Sequence, residues 1–288
     1  MNQESKGMLI GFVGVFIFSL TLPITKIALQ GFSPYFIAFG RAALAGMAAA
    51  TYLLLTKASR PSKSEFIKLA IIALGVVFGF PIFSTVAMTQ GASSHGAVIL
   101  GLLPLASTVF GVIRFRERPS LGFWVVSLVG AGLVISYALI QGGGQFSSFD
   151  GLLAVAGLFA CMGYVEGGHL SKKMKPVSVI SWALVISLPI NLVASSYFYS
   201  NEYLAANATA WVSFLYLSFF SMYVSFFFWY RGLAMGGISR VSQLLLLQPF
   251  CTLGASSVLL TDPLTWLNVL FAALVVLTVM IGKKMVVN

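Results

Sequence analysis

Charged residues are scarce in this sequence: they make up 8% of its 288 residues, whereas 59% are hydrophobic. A soluble domain usually carries charge at about a quarter of its positions, so the composition excludes an ordinary soluble fold. The apolar runs are continuous over about twenty residues, the length of a helix that crosses a bilayer. Strands of a membrane barrel would instead alternate in short segments. The sequence therefore predicts an all-α membrane protein.

Side chains for catalysis or metal binding are equally scarce. The sequence has two histidines, two cysteines and seven Asp and Glu residues. Cys161 and Cys251 both lie inside apolar runs, without a second ligand at metal-binding spacing. No HExxH motif or paired carboxylates accompany them. We therefore expect neither enzyme activity nor a metal or cofactor.

The positive charge is distributed as membrane topology requires. The formal net charge is +10, but the cations lie in short clusters between apolar runs, so we expect no nucleic-acid partner. With a cytoplasmic N-terminus, 15 of the 17 Lys and Arg residues fall on the cytoplasmic side. The opposite loops contain none, and they carry Asp150, Glu202 and Asp262. Both termini are thus predicted to be cytoplasmic, in a bacterial inner (cell) membrane. The ten predicted spans are Gly7–Leu29, Pro34–Leu55, Phe66–Ala87, Ser93–Ile113, Ser120–Ile140, Gly151–Leu170, Ser178–Tyr199, Ala210–Tyr230, Val241–Leu260 and Thr265–Ile281.

The sequence repeats itself at an offset of 145 residues, with matching glycine, proline and acidic positions. Five helices per unit is an odd number, so the second unit must be inverted relative to the first. We predict two inverted five-helix repeats, residues 1–143 and 144–288, the architecture of many secondary transporters. The matched pairs are Gly91 and Gly236, Pro104 and Pro249, and Glu117 and Asp262.

Several segments resemble the drug/metabolite transporter superfamily, and in particular its ten-helix EamA-type members. The likeness covers almost the whole chain and is greatest for the branch that exports amino acids, including aromatic ones. Two positions differ from the family pattern: Phe18-Ser19 stands where Trp-Gly is frequent, and Asp262 stands in place of Glu. The resemblance implies a secondary transporter that exports amino acids or similar small metabolites by alternating access. The segments that carry it are 34–41 (PYFIAFGR), 91–96 followed by Pro104, 115–119 (FRERP), 229–236 (WYRGLAMG), Gln248-Pro249 and 261–263 (TDP).

Other functions stay open from the sequence. The chain could export other metabolites or drugs, or transport nucleotide sugars, although a polyanionic cargo would need more cations in the spans. A channel or a scaffold fits the composition but not the inverted repeat. The expected partners are a small-molecule substrate and the lipid bilayer. No pattern selects an oligomeric state, and a monomer is compatible with the sequence.

A transporter of this kind needs a polar cavity near the midplane and kinked helices around it. Pro104 and Pro249 match between the repeats, so we predict hinges there. A serine stripe in the eighth span, which includes Ser221, predicts either a cavity wall or tight helix packing. The cavity candidates are Ser19, Phe78, Tyr164, Ser221, Tyr223, Gln243 and Gln248.

Four ionisable residues near or within the spans need an explanation. Glu166 lies well inside an apolar run, where it either anchors an interfacial ion cluster or couples protons to transport. His95, at the outer start of the fourth span, is a candidate pH sensor or a structural residue. Arg41 and Lys26 lie outside the cytoplasmic clusters, and we expect both to pair with external acids. The fork of the Arg41 guanidinium also suits a bound carboxylate.

Overall fold

The computed structural model describes residues 2–91, 93, 96, 99–100, 103–116, 118–142, 148–260, 265–282 and 284–285. This part of the chain is helical and contains no β-strand. His95, Glu117 and Asp262, which the sequence analysis singled out, lie outside the described residues.

A helix overlaps each of the ten spans that the sequence predicts, and most bounds agree within a few residues. In chain order the α-helices are α1 Gln3–Ser19, α2 Thr21–Ala28, α3 Pro34–Leu55, α4 Lys63–Ile72, α5 Phe80–Ala87, α6 Leu103–Phe115, α7 Leu121–Gly142, α8 Ser148–Leu170, α9 Pro176–Tyr197, α10 Ala208–Leu215, α11 Ser225–Gly236, α12 Ile238–Ser242, α13 Gln248–Leu260 and α14 Trp266–Gly282.

Seven helical stretches of the described chain are long and apolar enough to cross a membrane. Large apolar side chains such as Leu54 and Val193, which are 78% and 73% exposed, cover their outer surface. An apolar outer surface of this kind fits a lipid environment. The seven stretches are Gln3–Ala28, Pro34–Leu55, Lys63–Ala87, Gly151–Leu170, Pro176–Tyr197, Ala208–Gly236 and Ile238–Leu260, and the shorter apolar helices are Leu103–Phe115, Leu121–Tyr137 and Val269–Gly282.

Helix starts follow local side-chain chemistry. The Ser33 hydroxyl accepts a hydrogen bond from the backbone N–H of Phe36 at the start of α3, and Pro34 takes the first helical position. Ser62 and Glu65 form a reciprocal capping box at the start of α4. These signals can be read in the sequence, which is why the predicted start of the second span coincides with the observed one.

The first span is not one continuous helix as predicted, because α1 ends at Ser19 and α2 begins at Thr21. Pro23 has no backbone N–H, so the carbonyl of Ser19, four residues earlier, loses its helical donor. The Thr252 hydroxyl, on α13, donates to this carbonyl at 2.8 Å. A side chain from the second half of the chain thus satisfies the backbone where the first span breaks.

Three other spans contain stretches of non-α helix that the sequence analysis did not anticipate. A π-helix occupies Ala73–Gly79 between α4 and α5, and another occupies Tyr216–Val224 between α10 and α11. A 3₁₀-helix, Gln243–Leu247, joins α12 to α13. Shifting residues 73–79 by the repeat offset of 145 gives 218–224, inside the second π-helix. Because π-helical turns occur frequently at functional sites, these two segments direct attention to their surroundings.

The helices of the two halves interlock in pairs. The first span packs on the eighth through α1 and α11, the second on the seventh through α3 and α9, and the third on the sixth through α5, the first π-helix and α8. The fourth packs on the ninth through α6, α12 and the 3₁₀-helix, and the fifth on the tenth through α7 and α14. Every pair therefore joins the first half of the chain to the second.

Candidate functional site

A cavity of about 10 Å³ lies in the core between the two halves. This volume accommodates about one water molecule, so no metabolite fits in this cavity in this conformation. Both halves contribute to its wall, and both π-helices do so through Val76, Ser221 and Met222. The lining residues are Phe18, Arg41, Val76, Phe80, Tyr164, Ser221, Met222 and Phe226.

Aromatic side chains form a large part of the cavity wall. The Phe18 ring stacks on Tyr164 with 5.7 Å between centroids and meets Phe226 edge-on at 5.0 Å. Tyr164 also contacts Phe226 and, behind it, Trp229 at centroid distances of 6.0 Å and 5.4 Å. Since α1, α8 and α11 supply these rings, they hold three helices together and present π faces to the cavity.

Arg41 is the cation among the described residues of the wall. Arg41 is 1% exposed, and its Nε has no hydrogen-bond partner among the residues that the structure describes. The expected pairing of Arg41 with an external acid is not seen among the side chains that the structure describes, since neither of their ion pairs involves Arg41. The reason is the position of α3, which packs against α9, α5 and the second π-helix, so that a side chain on this face ends in the core.

Ser221 is the member of the serine stripe that reaches the cavity. Its hydroxyl lies 2.8 Å from the Thr21 hydroxyl, so one of the two donates to the other. Ser218 and Ser225 instead donate to the carbonyls of Phe214 and Ser221 in their own helix. The stripe therefore combines one cavity residue with two that are satisfied within the helix.

The structure brings Tyr164 and Ser221 together at the cavity, but not the other five predicted cavity residues. Phe78 is replaced there by Val76 and Phe80, because residues two apart in a helix point to different sides. Ser19 is fully buried, and its hydroxyl donates to the carbonyl of Phe16 at 2.6 Å. Its role is at the break between α1 and α2.

Of the remaining three candidates, Tyr223 and Gln243 form hydrogen bonds to other helices, and Gln248 is buried. The Tyr223 hydroxyl lies 2.7 Å from that of Ser181 on α9. Gln243 donates from Nε2 to the Ser127 hydroxyl of α7 at 2.8 Å, while its Oε1 has no partner. Gln248 is buried at the start of α13, and its Oε1 also lacks a partner. Gln243 is the first residue of the 3₁₀-helix and Gln248 directly follows it, and neither lines this cavity.

The predicted hinge prolines take equivalent places in the structure. Pro104 is the second residue of α6, and Pro249 is the second residue of α13. The 3₁₀-helix Gln243–Leu247 directly precedes the helix of Pro249. Leu100 also has 3₁₀ geometry, but residues 101 and 102, which separate it from α6, are not among the described residues. A proline cannot donate to the turn before it, which accounts for the change from 3₁₀-helix to α-helix before Pro249.

Comparison with known proteins identifies the family. The model of the EamA-like transporter family matches the chain twice, at residues 5–138 and 148–281. This chain belongs to the EamA-like transporter family. "Uncharacterized transporter YdeK" from Bacillus subtilis (strain 168) is 43% identical over 284 residues, which cover 99% of each chain. An "Uncharacterized transporter" from Archaeoglobus fulgidus is 28% identical over 269 residues, covering 91% of this chain and 93% of the relative.

The fold is also found among solved structures. One crystal structure aligns with a TM-score of 0.77 at 16% identity, covering 97% of this chain and 96% of the other. That likeness shows the fold alone. As a member of this family the chain is a multi-pass membrane transporter, which confirms the membrane class and the transport function inferred from the sequence.

Glu166 of this EamA-type chain forms an ion pair away from the cavity. Its side chain is buried on α8, and its Oε2 accepts a hydrogen bond from Nε of Arg114 on α6 at 3.2 Å. The guanidinium of Arg114 is half-exposed. Beside the pair, the rings of Phe115 and His169 stack with 3.8 Å between their centroids. This cluster joins α6 to α8, and the coupling role of Glu166 stays a prediction.

We expect Glu166→Gln to lower stability modestly and to leave the pH profile of transport unchanged. Arg114 can reach water once its partner is neutral, so the loss is about 1 kcal/mol. Melting of the purified protein and uptake at several pH values measure the two effects. Arg114→Gln is the matched control. The double variant should be at least as stable as the less stable of the two single variants. Loss of pH dependence in Glu166→Gln with unchanged melting would instead assign it to proton coupling.

Proposed function

We propose that this protein exports amino acids, aromatic ones included, or similar small metabolites across the bacterial cell membrane by alternating access. The observation that carries the proposal is the cavity in the core, which both halves line and which is too small for a metabolite as it stands. A carrier must enclose its cargo between two gates, so its site has to open to one side at a time. A channel would instead need a continuous polar path.

We further propose that the chain crosses the membrane ten times, as two inverted repeats at 1–143 and 144–288 with cytoplasmic termini. Three observations support this arrangement. The family model matches each half separately. The two π-helices are related by the repeat offset.

The helix pairing supplies the third observation. A twofold relation that exchanges the halves converts the first span into the sixth and the eighth into the third. It therefore converts the observed contact between the first and eighth spans into the one between the sixth and third. The pairs of second with seventh, fourth with ninth and fifth with tenth spans each map onto themselves.

The cavity chemistry favours small amphipathic molecules over the alternatives within the superfamily. A nucleoside-diphosphate sugar carries two phosphate charges, whereas Arg41 is the one cation among the described lining residues. The aromatic wall would also suit hydrophobic drugs, which makes drugs the second class to test.

Counterflow in proteoliposomes tests the proposed function. Vesicles loaded with unlabelled phenylalanine should accumulate labelled phenylalanine transiently, and unlabelled aromatic or large apolar amino acids should compete. Protein-free vesicles are the control for leakage. Exchange of drugs or nucleotide sugars in the absence of amino-acid exchange would contradict the substrate assignment.

A further inference from the structure

We propose that Arg41 binds the carboxylate of the cargo, while the rings around it bind an apolar remainder, so that the α-ammonium group of an amino acid is dispensable. The cargo class is then amphipathic monocarboxylates, whether or not they carry an amine. This inference rests on the proposed transport function and narrows its substrate.

The first support is the missing counter-ion. Arg41 is almost fully buried, lines the cavity and has an unpartnered Nε. The four carboxylates whose side chains the structure describes are engaged or located elsewhere: Glu166 with Arg114, Glu4 with Arg240, Glu65 in its capping box, and Glu202 exposed beside Ser200. A buried cation without a carboxylate destabilises a fold unless another group pairs with its charge. A carboxylate on the cargo is such a group.

The second support is the match between donors and ligand. A guanidinium presents parallel N–H donors whose spacing fits the two oxygens of a carboxylate. Ser221 adds a hydroxyl to the same wall, and because Thr21 can donate to Ser221, the Ser221 proton is free to turn toward a ligand. One guanidinium with one hydroxyl suits a single carboxylate.

The third support is the chemistry of the cavity wall that would contact the rest of the cargo. Phe18, Phe80, Tyr164 and Phe226 present aromatic surface, which favours an apolar or aromatic side chain. No carboxylate is among the described lining residues, so nothing of opposite charge would hold an ammonium group. An ammonium would also lie close to Arg41 and be repelled by it.

Binding to the purified protein in detergent tests the proposal with three isosteric ligands, by calorimetry and by ligand-induced shifts in melting temperature. Phenylalanine has both charged groups, 3-phenyllactate replaces the ammonium by a hydroxyl, and phenylalaninamide replaces the carboxylate by an amide. We expect 3-phenyllactate to bind at least as tightly as phenylalanine, and phenylalaninamide to bind about 10- to 100-fold more weakly.

Substitution of Arg41 gives the second arm. Arg41→Gln should weaken 3-phenyllactate about 10- to 100-fold, with Arg41→Lys in between because lysine lacks the fork. Phenylalaninamide should bind Arg41→Gln no more weakly than it binds the wild type, because the substitution removes a repelling charge. The melting temperature of unliganded Arg41→Gln should not fall, because the change removes a buried unpaired charge. Arg231→Gln, at an exposed cation, is the matched control and should bind as the wild type does.

The outcomes separate this proposal from the transport function. Tight binding of phenylalaninamide, undiminished 3-phenyllactate binding by a folded Arg41→Gln, or no binding of any carboxylate would overturn the role of Arg41. Counterflow of phenylalanine that persists in Arg41→Gln would leave transport intact and remove only the carboxylate site. Arg41-dependent binding without any counterflow would keep the site and reject transport of these ligands.

Discussion

Gly232→Leu should abolish production of folded protein, because α1 and α11 approach each other backbone to backbone. A Cβ at position 232 would lie 2.6 Å from the Cα and 2.8 Å from the N of Gly11, and 2.9 Å from the carbonyl oxygen of Gly7. These are backbone atoms, which cannot rotate away, so the helices would have to separate. Overpacking usually costs about 1–3 kcal/mol, and separating two glycine-packed helices costs more, about 3 kcal/mol or above.

The measurement is the yield of monodisperse protein after detergent extraction, together with its melting temperature. Gly132→Leu is the matched control, since a Cβ at position 132 meets no described atom within 4 Å. Gly232→Ala should fall between the two. A Gly232→Leu protein that extracts and melts like the control would show that α1 and α11 do not pack as described.

Pro104→Ala and Pro249→Ala should each slow transport about tenfold while changing cargo affinity little. Pro249 lies in the first turn of α13 after a 3₁₀-helix, and Pro104 matches it at the repeat offset. Alanine at either position restores a backbone donor and favours a continuous α-helix. Under the proposed inverted symmetry, straightening one span hinders opening on one side and straightening the other hinders opening on the opposite side. The two variants should therefore shift the accessibility of a cavity cysteine in opposite directions.

Turnover in proteoliposomes and calorimetric affinity in detergent separate the two effects. Pro189→Ala is the control, because Pro189 lies inside α9 and has no proline partner at the repeat offset. The symmetric-hinge mechanism would have to be abandoned if all three substitutions were equally harmless. The same conclusion would follow if Pro104→Ala and Pro249→Ala shifted accessibility toward the same side.

The helices could be predicted from the sequence because long apolar runs, caps and clustered cations are local signals. The start of α3 is one example, where Ser33 and Pro34 mark the first turn. The break at Ser19 could not be predicted in detail, since its carbonyl is satisfied by Thr252, which is 233 residues away. The π-helices were also missed, because an extra residue in a turn depends on the packing of neighbouring helices and leaves no clear mark in composition.

The candidate site was predicted only in part, because the direction of a side chain in the core depends on how the helices pack. Tyr164 and Ser221 were identified as cavity residues because of their type and depth in a span. Arg41 was placed with external acids, because a cation near a span end usually snorkels to an interface, whereas the packing of α3 directs it inward. Its signal in the sequence is a lone cation within an apolar run, outside every cytoplasmic cluster. Phe78 was predicted to line the cavity, but Phe80 lines it instead. The residue that faces the cavity depends on the π-helix Ala73–Gly79, which changes the rotation of the residues around it.

The central claim, one site opened alternately to the two sides, is tested most directly by the reactivity of Ser221→Cys toward a membrane-impermeant thiol reagent. The protein, with Cys161 and Cys251 replaced by alanine, is labelled in right-side-out and inside-out vesicles after transport has been verified. The account predicts that Ser221→Cys is labelled from both sides and that bound cargo protects it. It also predicts that any variant that raises the reactivity from one side lowers the reactivity from the other. Labelling from one side only, or reactivity that rises on both sides together, would contradict it.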